Sequence, residues 1–337
     1  MGIKGRALKA FSAPIMRELG ILPFLLAGVG IACTVLSPDF ATVGNGLNVL
    51  QQSSFLIILA MGQLFALLVG GLDISIGVLI PFVSVITALT MKLDIVASEP
   101  AMVALGVLAG SSAAAGIGLA NGSMIARIGI SPFITTLGLY SILSGAAFVI
   151  SGEVPVFGLP PFYNQFLGKG EIGPFPISVV AMIVIGTILY ILMNWTKVGR
   201  YFWAIGGNIS AAVLSGIPIR KYITLAYVLC STLAGIAAIL LSARAGSGEL
   251  TLGLPLMLQA IAAAVLGGAS VGGGRGNIPG VILGAFFVVM LMNGMNLIEM
   301  GSFVQQITLG AFLILGIVVD RLLQKARGER EVLKISI

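Results

Sequence analysis

The chain has 337 residues, of which 58% are hydrophobic and only 9% charged, with no histidine and a formal net charge of +6. Its mean hydropathy is +1.11, whereas a soluble domain carries about 25% charged residues, so a soluble catalytic domain is excluded. Repeated apolar runs of about 16–20 residues predict an all-α, polytopic membrane protein of about ten spans with broken or re-entrant segments, and the positive charge reads as topology rather than nucleic-acid affinity.

Met1–Arg17 carries Lys4, Arg6, Lys9 and Arg17 ahead of a first span expected near Leu19–Leu36, uncleaved because no small-residue cleavage site precedes the later spans. Ser37-Pro38-Asp39 ends it, and a polar segment with Asn45, Asn48, Gln51 and Gln52 leads into a second span reaching Val69. GGLDISIG (Gly70–Gly77) precedes a third span to about Met91. A fourth, Ala101–Ala120, has small residues at Gly106, Gly110, Ala114, Gly118 and Gly122, a stripe that lets a neighbouring backbone approach closely. Further spans are expected near Phe133–Ile150, from Pro176 to Asn194, and at Ile223–Ser242, Leu254–Leu266, Val281–Ile298 and Phe303–Val319. Ten spans put both termini on one side. Fifteen of the 18 Lys and Arg residues then fall inside, leaving Lys92, Lys169 and Arg244 outside, which predicts cytoplasmic termini.

The loop from Trp195 to Tyr222 combines Lys197, Arg200, Arg220 and Lys221 with no acid. Within it Asn208 is a candidate N-cap, Ile209–Ser215 about two helical turns, Gly216 a left-handed stop and Pro218 a bar to continuation. Two turns are unstable alone in water, so this helix is held by its own protein or by a partner. It reads either as an ordinary cytoplasmic loop or as the surface on which a partner pushes.

Asp73, flanked by long apolar runs, is costly unless paired, capped or wet. It reads either as a cap of a broken helix, helped by Ser75, or as a residue lining a translocation path. Gln51, Gln52, Gln63, Thr135, Thr136, Asn293 and Asn296 are the other polar residues in spans. Amides and hydroxyls both donate and accept, which suits a neutral polyhydroxylated ligand and equally suits hydrogen bonds between helices. GGASVGGGRG (Gly267–Gly276) lacks the GxxxxGK[ST] pattern and lies between spans, so it reads as a tight turn, not a nucleotide site. Its likeness in placement to GGLDISIG hints at an internal repeat. Without histidine there is no proton relay and no Ser/His or Cys/His nucleophile, and Cys33 and Cys230 sit in separate runs with no disulfide or metal spacing. A membrane enzyme is disfavoured, and no catalytic, cofactor-binding or metal residue is expected on this chain.

Several motifs in order resemble one family: LSPDF with NVLQQSS (Leu36–Phe40, Asn48–Ser54), GGLDISIG, PFITTLG (Pro132–Gly138), VGRYFWAIGGNISAAVLSGI (Val198–Ile217) and AIAAAVLGGASVGGGRG (Ala260–Gly276). The chain resembles, over nearly its whole length, the permease subunits of bacterial ABC importers for simple sugars of the ribose and galactose type. The resemblance implies a single permease domain over 1–337, a homo- or heterodimeric channel in the bacterial inner membrane, a pair of cytoplasmic ATPase subunits that bind the ATP and Mg, and a periplasmic sugar-binding protein. It also implies ATPase coupling by Gly206, Gly207, Asn208, Ala211, Ala212, Leu214, Ser215 and Gly216. Candidate path or substrate residues are Gln51, Gln52, Asp73, Ser75, Phe133, Thr135, Thr136, Asn293 and Asn296. Met257, Leu258 and Gln259 stand where the family commonly has an acidic residue and Asp before AIAA, so a close contact of that region, at the dimer or in the substrate path, is expected to differ, and with it the substrate. A secondary transporter or facilitator working without an ATPase is the alternative.

Overall fold

A computed structural model describes residues 22–93 and 95–326. The basic residues of Met1–Arg17, the first residues of the expected first span, Asp94, and Arg327, Arg330 and Lys334 lie outside them.

Among the described residues, ten apolar helices form where ten spans are expected: α1 (Leu22–Leu36), α2 (Val43–Leu68), α3 (Ile76–Met91), α4 (Glu99–Ser123), α5 (Pro132–Ser151), α6 (Ile177–Trp195), α9 (Ile219–Ala245), α10 (Leu254–Leu266), α11 (Ile278–Leu297) and α12 (Ser302–Ala326). Between α6 and α9 lie two shorter helices, α7 (Lys197–Gly207) and α8 (Ile209–Leu214). Six of the described helices are long and apolar enough to cross a membrane; α1, α3, α10 and the apolar part of α12 are shorter. At 13 residues, α10 is only about 20 Å long, short of a hydrocarbon core of about 30 Å. A two-residue hairpin, Glu171–Ile172 with Phe175–Pro176, is the sheet found among the described residues.

α2 lies at the centre of the bundle. From Ser53 to Leu68 every residue is buried, and it packs on α9, α11, α10 and α6. Its first turns correct the sequence reading of a polar segment ahead of the span. Thr42 caps the helix by accepting from the Asn45 N–H, so Asn45, Asn48, Gln51 and Gln52 already belong to α2. An N-cap with propagation into a strongly apolar run outweighs the low helix propensity of scattered Asn.

The small-residue stripe on α4 does what its spacing predicts. All five positions are buried. A Cβ on Gly122 would lie 2.6 Å from Thr224 Cα, and one on Gly118 would lie 2.6 Å from the Tyr227 carbonyl, so α4 and α9 touch backbone to backbone. This is the most extensive helix pair in the bundle.

The connections sort onto two ends. At one, Val156 and Gly248 exchange backbone hydrogen bonds at 2.8 and 2.9 Å, Lys92 Nζ donates to the Phe157 carbonyl at 3.0 Å, and the Phe162 N–H donates to the Glu99 carboxylate at 3.0 Å. At the other, the end of α7 meets the connections 69–75 and 267–277. This alternation is the one that ten spans require.

Candidate functional site: a glycine junction, a helix break and an exposed short helix

α7 is amphipathic. Gly199, Phe202 and Ile205, at i, i+3 and i+6, are its buried residues. The Phe202 ring meets Phe65 of α2 edge-on with centroids 5.4 Å apart and Tyr222 of α9 at 6.0 Å. Trp203 Nε1 donates to the Gly276 carbonyl at 3.1 Å. The helix is thereby pinned to three elements at once.

Its last residues form a junction of backbones. The Gly274 N–H donates to the Leu68 carbonyl at 2.9 Å, closing the 267–277 turn onto the end of α2. A Cβ on Gly206 would collide with that same carbonyl and with the Gly274 nitrogen; one on Gly274 would come within 2.5 Å of the Gly207 nitrogen. Gly274 also has φ +72°, in the region L side chains avoid. The end of α2, the root of α8 and the glycine-rich turn are thus in direct backbone contact. A Cβ on Gly207 would meet nothing within 4 Å.

Beyond the junction, Asn208 Oδ1 accepts from the Ala211 N–H at 3.0 Å, and α8 runs to Leu214, one residue short of the expected end. Gly216, at φ +75°, closes the helix through its N–H to the Val213 carbonyl, while the Ile217 N–H reaches the Ala212 carbonyl. Ala212 is the buried residue of α8. Val213 is 58% exposed and Leu214 90%, with Ile209 also exposed. The Ser215 hydroxyl donates back to the Ala211 carbonyl at 2.9 Å, so Ala211 and Ser215 are engaged within the helix itself.

On the other side of the junction lies the break between α2 and α3. Asp73 is fully buried. One carboxylate oxygen accepts from the Ser75 N–H at 2.9 Å and from the Ser75 hydroxyl at 2.5 Å, and Asn121 Nδ2 donates to that hydroxyl at 3.0 Å. With its amide turned to satisfy both partners, Gln63 of α2 pairs with the N–H and carbonyl of Asp73, each at 3.2 Å. Asp73 therefore satisfies an N–H two residues on, in an Asx-type turn, and α3 begins at Ile76, beyond that turn, so the carboxylate does not cap the helix itself. The second carboxylate oxygen of Asp73 and the hydroxyl of Tyr227 are buried with no hydrogen-bond partner among the described residues. The break lies toward the α7–α8 end of the bundle: Asn121 is the third-last residue of α4, and Thr136, whose hydroxyl reaches the Leu72 carbonyl at 3.4 Å, is about 6 Å into α5.

The path candidates fall into separate places. Asp73, Ser75 and Thr136 share the break, and buried Thr135 bonds to the Ser131 carbonyl beside it. Phe133 points away and is 55% exposed. Gln51 and Gln52 belong to the opposite half of α2: Gln51 Nε2 donates to the Gly168 carbonyl at 3.4 Å, and Gln52 Nε2 donates to Asn48 Oδ1 at 3.0 Å. Asn48 Oδ1 also accepts from Arg244 Nη2 at 3.2 Å, whose guanidinium lies over the Phe55 ring at 5.8 Å. Asn293 forms a reciprocal amide pair with Asn45, both bonds 2.9 Å. Asn296 is exposed and accepts from Gln305 at 2.7 Å. Sequence reasoning passed over Asn121 and Tyr227 and counted Arg244 only as an outside cation; the rule for polar groups inside apolar spans finds Tyr227, whereas Asn121 and Arg244 lie just beyond the expected span ends, Ala120 and Ser242.

The family described as "Branched-chain amino acid transport system / permease component" matches residues 45–318. The chain belongs to this permease family. It is a non-catalytic, multi-pass permease of the inner membrane, as its sequence resemblance implied. Among curated relatives, the D-allose transport system permease protein of Escherichia coli K12 is 32% identical over 90% of this chain and 91% of its own. The ribose import permease proteins of Bacillus subtilis 168 and Escherichia coli K12 are each 34% identical, over 91% and 94% of this chain and 94% and 97% of theirs. No solved structure matches the chain.

Proposed function

We propose that this chain is the pore of an ATP-driven importer for a monosaccharide, with α8 as the element that couples it to an ATPase. Relatives named for ribose and D-allose support the sugar class. The finer composition is a cytoplasmic ATPase pair that binds ATP and Mg, a second permease subunit and a periplasmic sugar-binding protein. Both termini and the α7–α8 end face the cytoplasm, and residues 1–337 act as one permease domain.

The observation that carries this reading is a short capped helix with Ile209, Val213 and Leu214 turned to solvent, rooted on a backbone junction that reaches the α2 break. Full burial of a Val or Leu side chain gains about 1.5–3 kcal/mol each, so a partner that covers them gains several kcal/mol from three residues. Six helical residues cannot hold themselves. A push on α8 passes through Gly206 and Gly207 to Leu68 and the Gly274 turn without any flexible side chain between. At the opposite end, Asn48, Gln51, Gln52 and Arg244 present donors and acceptors suited to sugar hydroxyls at the mouth of the path.

The test is purification of the tagged chain from its native membrane. An ATPase should co-purify, with turnover that rises when a sugar-loaded binding protein is added. A chain that purifies alone and moves solute on an ion gradient in vesicles would overturn the reading in favour of a secondary transporter.

A further inference from the structure

At the α7–α8 end, away from the glycine junction, an open cavity of about 730 Å³ is lined by Arg127, Pro218, Ile219, Arg220, Lys221 and Thr224. Arg127 comes from the turn after α4, where a short π-helical stretch, Met124–Ile128, ends at Gly129 in the left-handed region. The remaining lining residues belong to Pro218 and the first turns of α9, whose N-terminus carries partial positive charge. Three cations thus share one hollow, and all three are exposed. No Asp or Glu occurs anywhere in residues 100–152 or 172–248, the stretches that build the cavity. Like charges brought together without a counter-ion repel, and nothing on these segments offsets them.

The surroundings favour an anion attached to a lipid. Both α4 and α9 are long and apolar enough to cross a membrane, and the chain turns cationic at these ends, the charge pattern expected at the level of the lipid headgroups. Ile128, next to Arg127, is 71% exposed, and Phe133 and Ile134 at the start of α5 are 55% and 63% exposed. A cationic hollow whose Arg127 is followed in the chain by exposed apolar residues fits a phosphate that carries acyl chains better than a free one. We infer that Arg127, Arg220 and Lys221 form a binding site for the phosphate headgroup of an anionic phospholipid. The inference stands independently of the proposed transport function.

The excess of basic residues expected at one face of any membrane protein would give general charge attraction but no site. The experiment therefore compares position as well as charge. The full chain, with whatever subunits co-purify, is prepared in a non-ionic detergent. Native mass spectrometry then measures binding of phosphatidylglycerol, phosphatidylcholine and inorganic phosphate. Preferential retention of phosphatidylglycerol is expected. At about fivefold per basic residue, R127Q/R220Q/K221Q should bind it about a hundredfold more weakly. K197Q/R200Q, which removes two cations from α7 at the same end, should bind like the parent. Should the triple variant not purify, R220Q alone reads the same contrast at about fivefold. Equal binding by the triple variant and the parent, an equal loss in K197Q/R200Q, or saturation by inorganic phosphate without lipid preference would each overturn the site.

Discussion

Two polar side chains, each accepting a freed N–H, flank the glycine junction, and they are opposites. Asn208 caps α8 in the open, on a helix with one buried residue, whereas Asp73 organises the turn before α3 where no water reaches it. The same local chemistry, a short polar side chain accepting a freed N–H, therefore carries different weight at the two places. Losing Asn208 exposes an N–H to solvent and frees a helix that the core hardly notices. Losing Asp73 strands donors in an apolar interior. A part built to move and a part built to hold are joined by a few atoms of backbone between Gly206 and Leu68.

The largest effect is expected at that joint. Gly206→Ala places a methyl group against the Leu68 carbonyl and the Gly274 nitrogen, and neither is a flexible side chain. Overpacking against backbone costs about 1–3 kcal/mol or more. The expected outcome is a marked fall in thermal stability in detergent, with α7 detached from α2. Gly207→Ala, one residue on, faces open space and should leave the melting temperature at the parent value. Equal effects of the two substitutions would break the distinction between joint and lever.

Next comes Asp73. Alanine leaves the Ser75 N–H and hydroxyl without their acceptor, at about 1–3 kcal/mol for a buried unsatisfied group. Both stability and sugar uptake should fall in D73A. Asparagine keeps an acceptor at the same place, so D73N should recover most of the stability. Uptake by D73N then separates the two readings of this residue: recovery marks a cap, and loss in a stable protein marks a charge the transport cycle uses.

Asn208→Ala should cost about 1 kcal/mol, the usual value of an N-cap, and only locally. Hydrogen exchange across Ile209–Leu214 should accelerate while exchange in α2 and α9 stays slow. Faster exchange in α2 as well would mean that the exposed helix is part of the core rather than an appendage to it.

Much of this arrangement was legible in the sequence because it is written in short-range chemistry. Ten apolar runs gave ten helices, the Asn208–Gly216–Pro218 punctuation gave α8 to within one residue, and the four-residue spacing of Gly106–Gly122 gave the face of α4 that meets α9. What escaped depends on which residues far apart in the chain come together. No local signal places Gly274 against Leu68, since a glycine needed for close approach looks like one needed for a turn. Gln63 is visibly polar, but its pairing with the Asp73 backbone joins α2 to the connection after it, and Tyr227 and Asn121 converge on the same break from two other helices. The polar residues Asn45–Gln52 misled for the opposite reason. Their composition suggests a loop, yet their partners, Asn293 and Arg244, lie on distant helices and pay for their place inside α2.

The smallest effect on stability is expected at Leu214, and it sharpens the comparison most. The side chain is 90% exposed, so L214Q removes almost no packing and should change the melting temperature within the range of an ordinary surface substitution, about 0.5 kcal/mol. Its consequence should be seen only when a partner covers it. A leucine buried at an interface is worth about 1.5–3 kcal/mol, or roughly a ten- to hundredfold change in affinity, and a glutamine placed there adds the cost of desolvating an amide. The fraction of ATPase that co-purifies with the L214Q chain should fall accordingly, with insertion and stability intact. Substituting an exposed apolar residue of comparable exposure on a lipid-facing helix, such as Val149 at 79%, should leave that fraction unchanged. If L214Q retains the ATPase as the parent does, α8 is an ordinary connection, and the coupling surface must be sought elsewhere along α7.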